Sequence, residues 1–139
     1  TSSASKIQEA LDLGADHTLD SRNPDELTAA AGRFDFIIST VNVKLDWPSY
    51  MNTLKPKGRL HFVGATLEPL NISAFSLITA QRSVSGSPVG SPATIKQMLD
   101  FAKQHEIQPI VEFYDFKDIN AAIERLASGK ARYRVVLKH

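Results

Sequence analysis

The chain has 139 residues, 42% of them hydrophobic and 22% charged, a balance that suits a soluble globular domain with a sizeable core. Its formal net charge is +1 with both signs mixed along the chain, which argues against a nucleic-acid footprint. No apolar run reaches the length of a membrane span, no signal-peptide pattern opens the sequence, and with no cysteine there are neither disulfides nor thiolate zinc sites. The expectation is a cytoplasmic protein with no nucleic-acid or membrane partner.

In chain order, Ser5 to Ala15 predicts a helix with Ile7, Ala10, Leu11 and Leu13 toward a core, Ser3 or Ser5 as its N-cap and Gly14 as its stop. Asp16–Asp20 predicts a short strand, and Pro24 opens a helix over Asp25–Ala31 that Gly32 ends. Phe34–Val41 is a nearly unbroken apolar run rich in aromatic and β-branched residues, the pattern of a parallel strand buried on both faces. After a polar link, Trp47, Tyr50, Met51 and Leu54 fall at helical spacing, Pro56 and Gly58 stop that helix, and Leu60–Val63 predicts the next strand. This is a strand–helix–strand unit. Its strands end in Ser39-Thr40 and Gly64-Ala65-Thr66, and open parallel sheets bind ligands beyond the carboxyl ends of their strands.

Further on, Asn71–Ser73 predicts an extended piece, Phe75–Gln81 a helix, and Ser83–Val89 a strand that Pro88 confines to an edge or an end. Ser91-Pro92 caps a helix carrying Ile95, Met98, Leu99 and Ala102. Ile110–Phe113 predicts a strand, Asp118–Ala127 a helix ended by Gly129, and Tyr133–Leu137 a final strand. The alternation predicts an α/β fold.

Several of these segments, taken together, resemble the C-terminal part of a medium-chain, zinc-type alcohol dehydrogenase, in its cinnamyl-alcohol-dehydrogenase-like branch. They are residues 1–6 (Thr-Ser-Ser-Ala-Ser-Lys), Leu13-Gly-Ala-Asp16, Phe34–Val41, Leu54–Leu60, Val63-Gly-Ala65, Ser85-Gly-Ser87 with Gly90-Ser91, and Arg132-Tyr-Arg134. The resemblance implies a partial Rossmann domain, a doubly wound parallel sheet that lacks its first βαβ strands. It also implies that residues 1–104 form this partial dinucleotide-binding domain and that residues 105–139 return toward a catalytic domain. Asp16–Asp20 and Phe34–Val41 would then lose their usual neighbours, so a rearranged sheet, or completion by a second chain, is expected. The opening without an initiator Met reads as a cut from something longer. A stand-alone protein with a binding or structural role is the contrasting expectation.

By the same resemblance, the cofactor is NADP(H). Rossmann enzymes selecting NAD carry an acidic residue after the second strand, whereas here Ser2, Ser3, Ser5 and Lys6 precede the first carboxylate, Glu9. Serine hydroxyls can donate to a 2′-phosphate and Lys6 can neutralise it; the same residues also read as a helix N-cap with a solvated lysine. Thr40 and Val41 would lie beside the nicotinamide ribose and ring. Val63, Gly64 and Ala65 would offer backbone groups to the carboxamide, although two parallel strands also end in small turn residues without any ligand. Ser85 and Ser87, with Gly90, would line the mouth, or belong simply to a glycine-containing edge strand. Arg134 would reach the pyrophosphate, with a basic surface cluster of Lys130 and Arg132 as the competing account.

No catalytic residue is assigned, and no histidine is assigned to a metal: His17, His61, His105 and His139 lack paired ligand spacing, and His61 reads as a packing or surface residue. The glycine-rich GxGxxG turn and the zinc ligands that the family carries elsewhere are missing from the sequence, so zinc would belong to the parent enzyme and not to this chain. The implied parent reaction is hydride transfer between NADPH and a primary alcohol or aldehyde, in a homodimer, with this polypeptide inactive alone. Two other readings stand. Phe34–Ser39 followed by Leu54–Leu60 also resembles the core strands of S-adenosylmethionine-dependent methyltransferases, and a non-catalytic dinucleotide-binding or dimerising module is the third.

Overall fold

Local signals fix most element boundaries in the computed structural model, which describes residues 4–139. The chain divides into two compact units, Thr1–Pro88 and Val89–His139. In the first, α1 (Ala4–Asp12) ends before Gly14, whose φ of 98° is the left-handed conformation glycine adopts without penalty. The helix starts at Ala4, so Ser5 lies inside it rather than capping it. Asn23 caps α2 (Pro24–Ala29) by accepting the Asp25 N–H, with Pro24 in the first turn as expected.

Asp16–Asp20 does not form the predicted strand. A strand needs its backbone groups for a ladder, and the Asp20 N–H is instead taken by the Glu26 carboxylate at 2.7 Å. Instead His17, Thr18 and Leu19 flank a cavity of about 420 Å3 whose other walls include Leu27, Phe34 and Phe36.

The central unit is a three-stranded parallel sheet in the order β1-β2-β3: β1 (Phe34–Ser39), β2 (Leu54–Phe62) and β3 (Ser83–Gly86). The order is consecutive rather than rearranged, and among the described residues no strand pairs with the outer edge of β1. The helix α3 (Trp47–Thr53) crosses from β1 to β2, and α4 (Ala74–Ile78), capped by Ser73, leads to β3. Leu54 already pairs with Phe34, residues 55–58 bulge outward, and the ladder resumes where Arg59 meets Phe36. Arg82 clamps this bulge through two hydrogen bonds from its guanidinium to the Leu54 carbonyl, at 2.7 and 3.1 Å.

The core is one-sided. Trp47, Met51, Leu54 and Leu60 are buried together, with Ile37, Phe62 and Val84 packed against them. Side chains alternate across a strand, so Ile37 and Ser39 face this core while Phe34, Phe36 and Ile38 point away and are 40%, 49% and 58% exposed. The expected burial of β1 on both faces is therefore corrected: within this unit the helices α3 and α4 cover one face only.

In the second unit, Ser91 caps α5 (Pro92–Gln104) by accepting the Thr94 N–H. The parallel pair of β4 (Val111–Asp115) and β5 (Arg134–Lys138) carries α6 (Ile119–Ala127), which buries Ala122. Glu112 binds Arg125 in a two-pronged ion pair at 2.8 and 3.1 Å and accepts the Arg132 N–H at 2.7 Å. The Arg125 guanidinium, helped by that N–H, holds the Glu112 carboxyl below the usual carboxylate range. A carboxyl whose folded pKa is depressed contributes stability above its unfolded pKa and loses it as pH falls through the folded value. Glu112→Gln should thus lower the stability of β4–β5 at neutral pH, and its deficit against wild type should shrink on acidification below the carboxylate range. Amide exchange protection in β4 and β5 across that pH range checks this; a deficit independent of pH would contradict it.

Candidate functional site

Parallel strands end on one side of the sheet, so the carboxyl ends of β1, β2 and β3 converge. The Ser39 carbonyl accepts both the Val63 N–H at 2.9 Å and the Gly64 N–H at 3.1 Å, drawing the chain after β2 onto the chain after β1. The approach is close enough to demand glycine. A Cβ on Gly64 would stand 2.5 Å from the Thr40 carbonyl carbon and from the Val41 oxygen, distances that real Cβ atoms do not adopt. The need is for space, not for an unusual backbone angle. Beyond β3, the Ser87 N–H reaches the Phe62 carbonyl at 3.1 Å and extends the ladder past the strand.

Beside this junction is a cavity of about 390 Å3 whose walls include Gly64, Ala65, Thr66, Leu70 and Ser85. Its lining is largely apolar with a few polar groups, the usual composition of a small-molecule site. The Thr66 Oγ1 and the Ser39 Oγ are buried without a hydrogen-bond partner. A buried hydroxyl normally finds a partner; that of Thr66 belongs to the cavity wall, whereas that of Ser39 faces the core.

Ser85 and Ser87 stand on the same side of the chain, and one ring holds both. His61 Nδ1 lies 2.9 Å from the Ser85 Oγ and Nε2 lies 3.0 Å from the Ser87 Oγ, while Phe36 stacks on the imidazole with centroids 6.0 Å apart. Sequence reasoning left His61 without a role. Its cross-strand register with Ser85 is the signal that identifies it, and that register exists only once β2 and β3 are paired.

The structure thus brings together Thr40, Val41, Val63, Gly64 and Ala65, with Ser85 on the adjoining cavity and Ser87 tied to it through His61. Lys6 sits exposed on α1. Ser2 and Ser3 lie outside the described residues. Arg134 opens β5 in the second unit, opposite Val111, with its side chain exposed, and Arg132 belongs to that unit as well. Among the described residues no three His, Cys, Asp or Glu side chains converge to hold a metal ion. The donors present therefore do not fit a zinc centre.

Residues 1–104 match the model of the zinc-binding dehydrogenases. The chain belongs to that family. Similar proteins include the aldehyde reductase AdhA of Synechocystis sp., 61% identical across all of this chain and 41% of that protein. The structure of a cinnamyl alcohol dehydrogenase from Sorghum bicolor superposes with a TM-score of 0.89 at 40% identity, over 98% of this chain and 39% of the other. A cinnamyl alcohol dehydrogenase from Helicobacter pylori, complexed with NADP(H), superposes with a TM-score of 0.79 at 32% identity, over 99% and 39%. The chain spans about two fifths of the length of these relatives and corresponds to a C-terminal portion of their fold, a partial Rossmann sheet. Family membership removes the methyltransferase alternative, and all strand pairs among the described residues are parallel, without the antiparallel hairpin that closes that fold.

Proposed function

We propose that this polypeptide is the cofactor-binding portion of an NADP(H)-dependent zinc alcohol dehydrogenase or aldehyde reductase, whose parent enzyme moves a hydride between NADPH and a primary alcohol or aldehyde. The observation that carries it is the junction at Gly64, where two strand ends meet so closely that only glycine fits, beside a cavity whose wall includes the unpartnered hydroxyl of Thr66. The junction packs backbone on backbone, and the room for a flat ring is the cavity beside it, walled by Gly64, Ala65 and Ser85. NADPH, when bound, supplies the hydride.

In this reading Thr40 and Val41 lie beside the nicotinamide ribose and ring, and the backbone of Val63, Gly64 and Ala65 binds the carboxamide and so selects the ring face. Ser85 and Ser87 line the mouth, and Arg134 binds the pyrophosphate. Ser2, Ser3 and Lys6 receive the 2′-phosphate, where a carboxylate would repel it. Residues 1–104 form the partial dinucleotide-binding domain, and residues 105–139 return toward the catalytic domain. Assembly as a homodimer belongs to the same reading, since β3 ends the sheet with one edge unpaired among the described residues.

The described residues hold no zinc donor set, so the chain alone is expected to bind cofactor without turning over substrate. Calorimetry should find NADPH bound more tightly than NADH, and incubation with NADPH and an aldehyde should consume no NADPH. Equal affinity for the two nucleotides would contradict the phosphate assignment, and sustained NADPH oxidation would contradict the division of labour.

A further inference from the structure

His61 lies at the carboxyl end of β2, on the sheet face away from the Leu60 core, and both its ring nitrogens meet serine hydroxyls. Arg59, two residues earlier on the same face, is spent on Ser83, whose Oγ accepts from the Arg59 Nε at 3.3 Å, so it does not compete for Ser85 or Ser87. Phe36 stacks on the ring and limits its rotation. A neutral imidazole carries one N–H and one bare nitrogen. The serine facing the N–H accepts, and keeps its own O–H to give elsewhere. The serine facing the bare nitrogen spends its O–H on the ring and offers only lone pairs. One residue thereby assigns opposite roles to two hydroxyls.

We propose that His61 is a positioning residue that fixes one of Ser85 and Ser87 as a hydrogen-bond donor and the other as an acceptor toward the site. A primary carboxamide carries two lone pairs and two N–H groups, so that pair complements the lone pair and the N–H left over by the backbone of Val63, Gly64 and Ala65. The opposite roles of the two hydroxyls follow from the two ring contacts; their match to a nicotinamide carboxamide rests on the cofactor function proposed above.

The chain labelled with 15N-histidine tests the polarity directly. At mildly alkaline pH the His61 ring should show one protonated and one bare nitrogen, the signature of a single tautomer, and Ser85→Ala or Ser87→Ala should shift only the nitrogen that loses its partner. Nitrogen shifts averaged between tautomers would overturn the proposal. Binding of NADPH against its 3-acetylpyridine analogue, which keeps the carbonyl and replaces NH2 by methyl, tests the match. Wild type and His61→Gln, which retains one donor and one acceptor, should favour NADPH to a similar degree, and His61→Leu should lose about fivefold of that preference, the worth of a hydrogen bond. An unchanged preference in His61→Leu would overturn the carboxamide match. A fixed tautomer in a chain that binds neither nucleotide would overturn the cofactor function while upholding the polarity.

Discussion

Gly64→Ala is expected to destabilise the first unit and to weaken NADPH binding at least tenfold. At an ordinary position, replacing glycine by alanine gains about 0.4–1 kcal/mol by restricting the unfolded chain. Here the added Cβ would meet the Thr40 carbonyl carbon and the Val41 oxygen at 2.5 Å, and both are backbone atoms that cannot swing aside. Overpacking of this kind costs about 1–3 kcal/mol, so the steric loss outweighs the entropic gain. Relief requires the strand ends to separate, which would break the paired hydrogen bonds from Val63 and Gly64 to the Ser39 carbonyl and disperse the backbone groups proposed to hold the carboxamide. Gly86→Ala is the control, since its Cβ would come no nearer than 3.3 Å to the Phe62 oxygen. Urea unfolding followed by Trp47, the sole tryptophan, together with NADPH titration, reads both effects. A Gly64→Ala chain with unchanged midpoint and affinity would contradict the close-approach account.

Leu60→Ala should have the largest effect on stability, about 2–5 kcal/mol, as expected for removing a fully buried leucine and leaving a cavity. Leu60 is completely buried against Trp47, Met51 and Leu54, on the one sheet face that the helices cover. Small domains have total stabilities of about 5–15 kcal/mol, so this single change consumes a large share. Ile38→Ala, on the open face and 58% exposed, should change stability by no more than about 0.5 kcal/mol. The urea midpoint of Trp47 fluorescence distinguishes the two. Equal losses would mean that both faces of β1 and β2 are covered, contrary to the one-sided packing.

The helices were legible because their signals are local: Asn23-Pro24 and Ser91-Pro92 begin α2 and α5, and Gly14, Gly32 and Gly129 take up the positive φ that follows α1, α2 and α6. Strand existence was legible from apolar runs, but strand environment was not. Phe34–Ser39 has the composition of a fully buried strand, yet burial depends on which layers pack against it, and α3 and α4 lie on one side. Asp16–Asp20 failed as a strand for a related reason, since β structure is a property of pairs and a lone segment carries no information about its partner. Pro56 and Gly58 read as a break between helix and strand, whereas Leu54 joins the ladder first and the break becomes a bulge held by Arg82. At the site, the small residues at the strand ends were visible in sequence as an opening for a ligand. The reason for Gly64 was not, because the atoms that forbid a side chain belong to residues 40 and 41, far away in the chain. His61 escaped for the same cause: its meaning comes from lying opposite Ser85.

The most direct test of the central claim is a backbone amide NMR titration of the 139-residue chain with NADPH. Saturable shifts concentrated at Thr40, Val41, Val63, Gly64, Ala65, Ser85 and Ser87 are the predicted result and would locate the nicotinamide end at the strand termini. Shifts absent there, or confined to other surfaces, would contradict a cofactor site at the Gly64 junction.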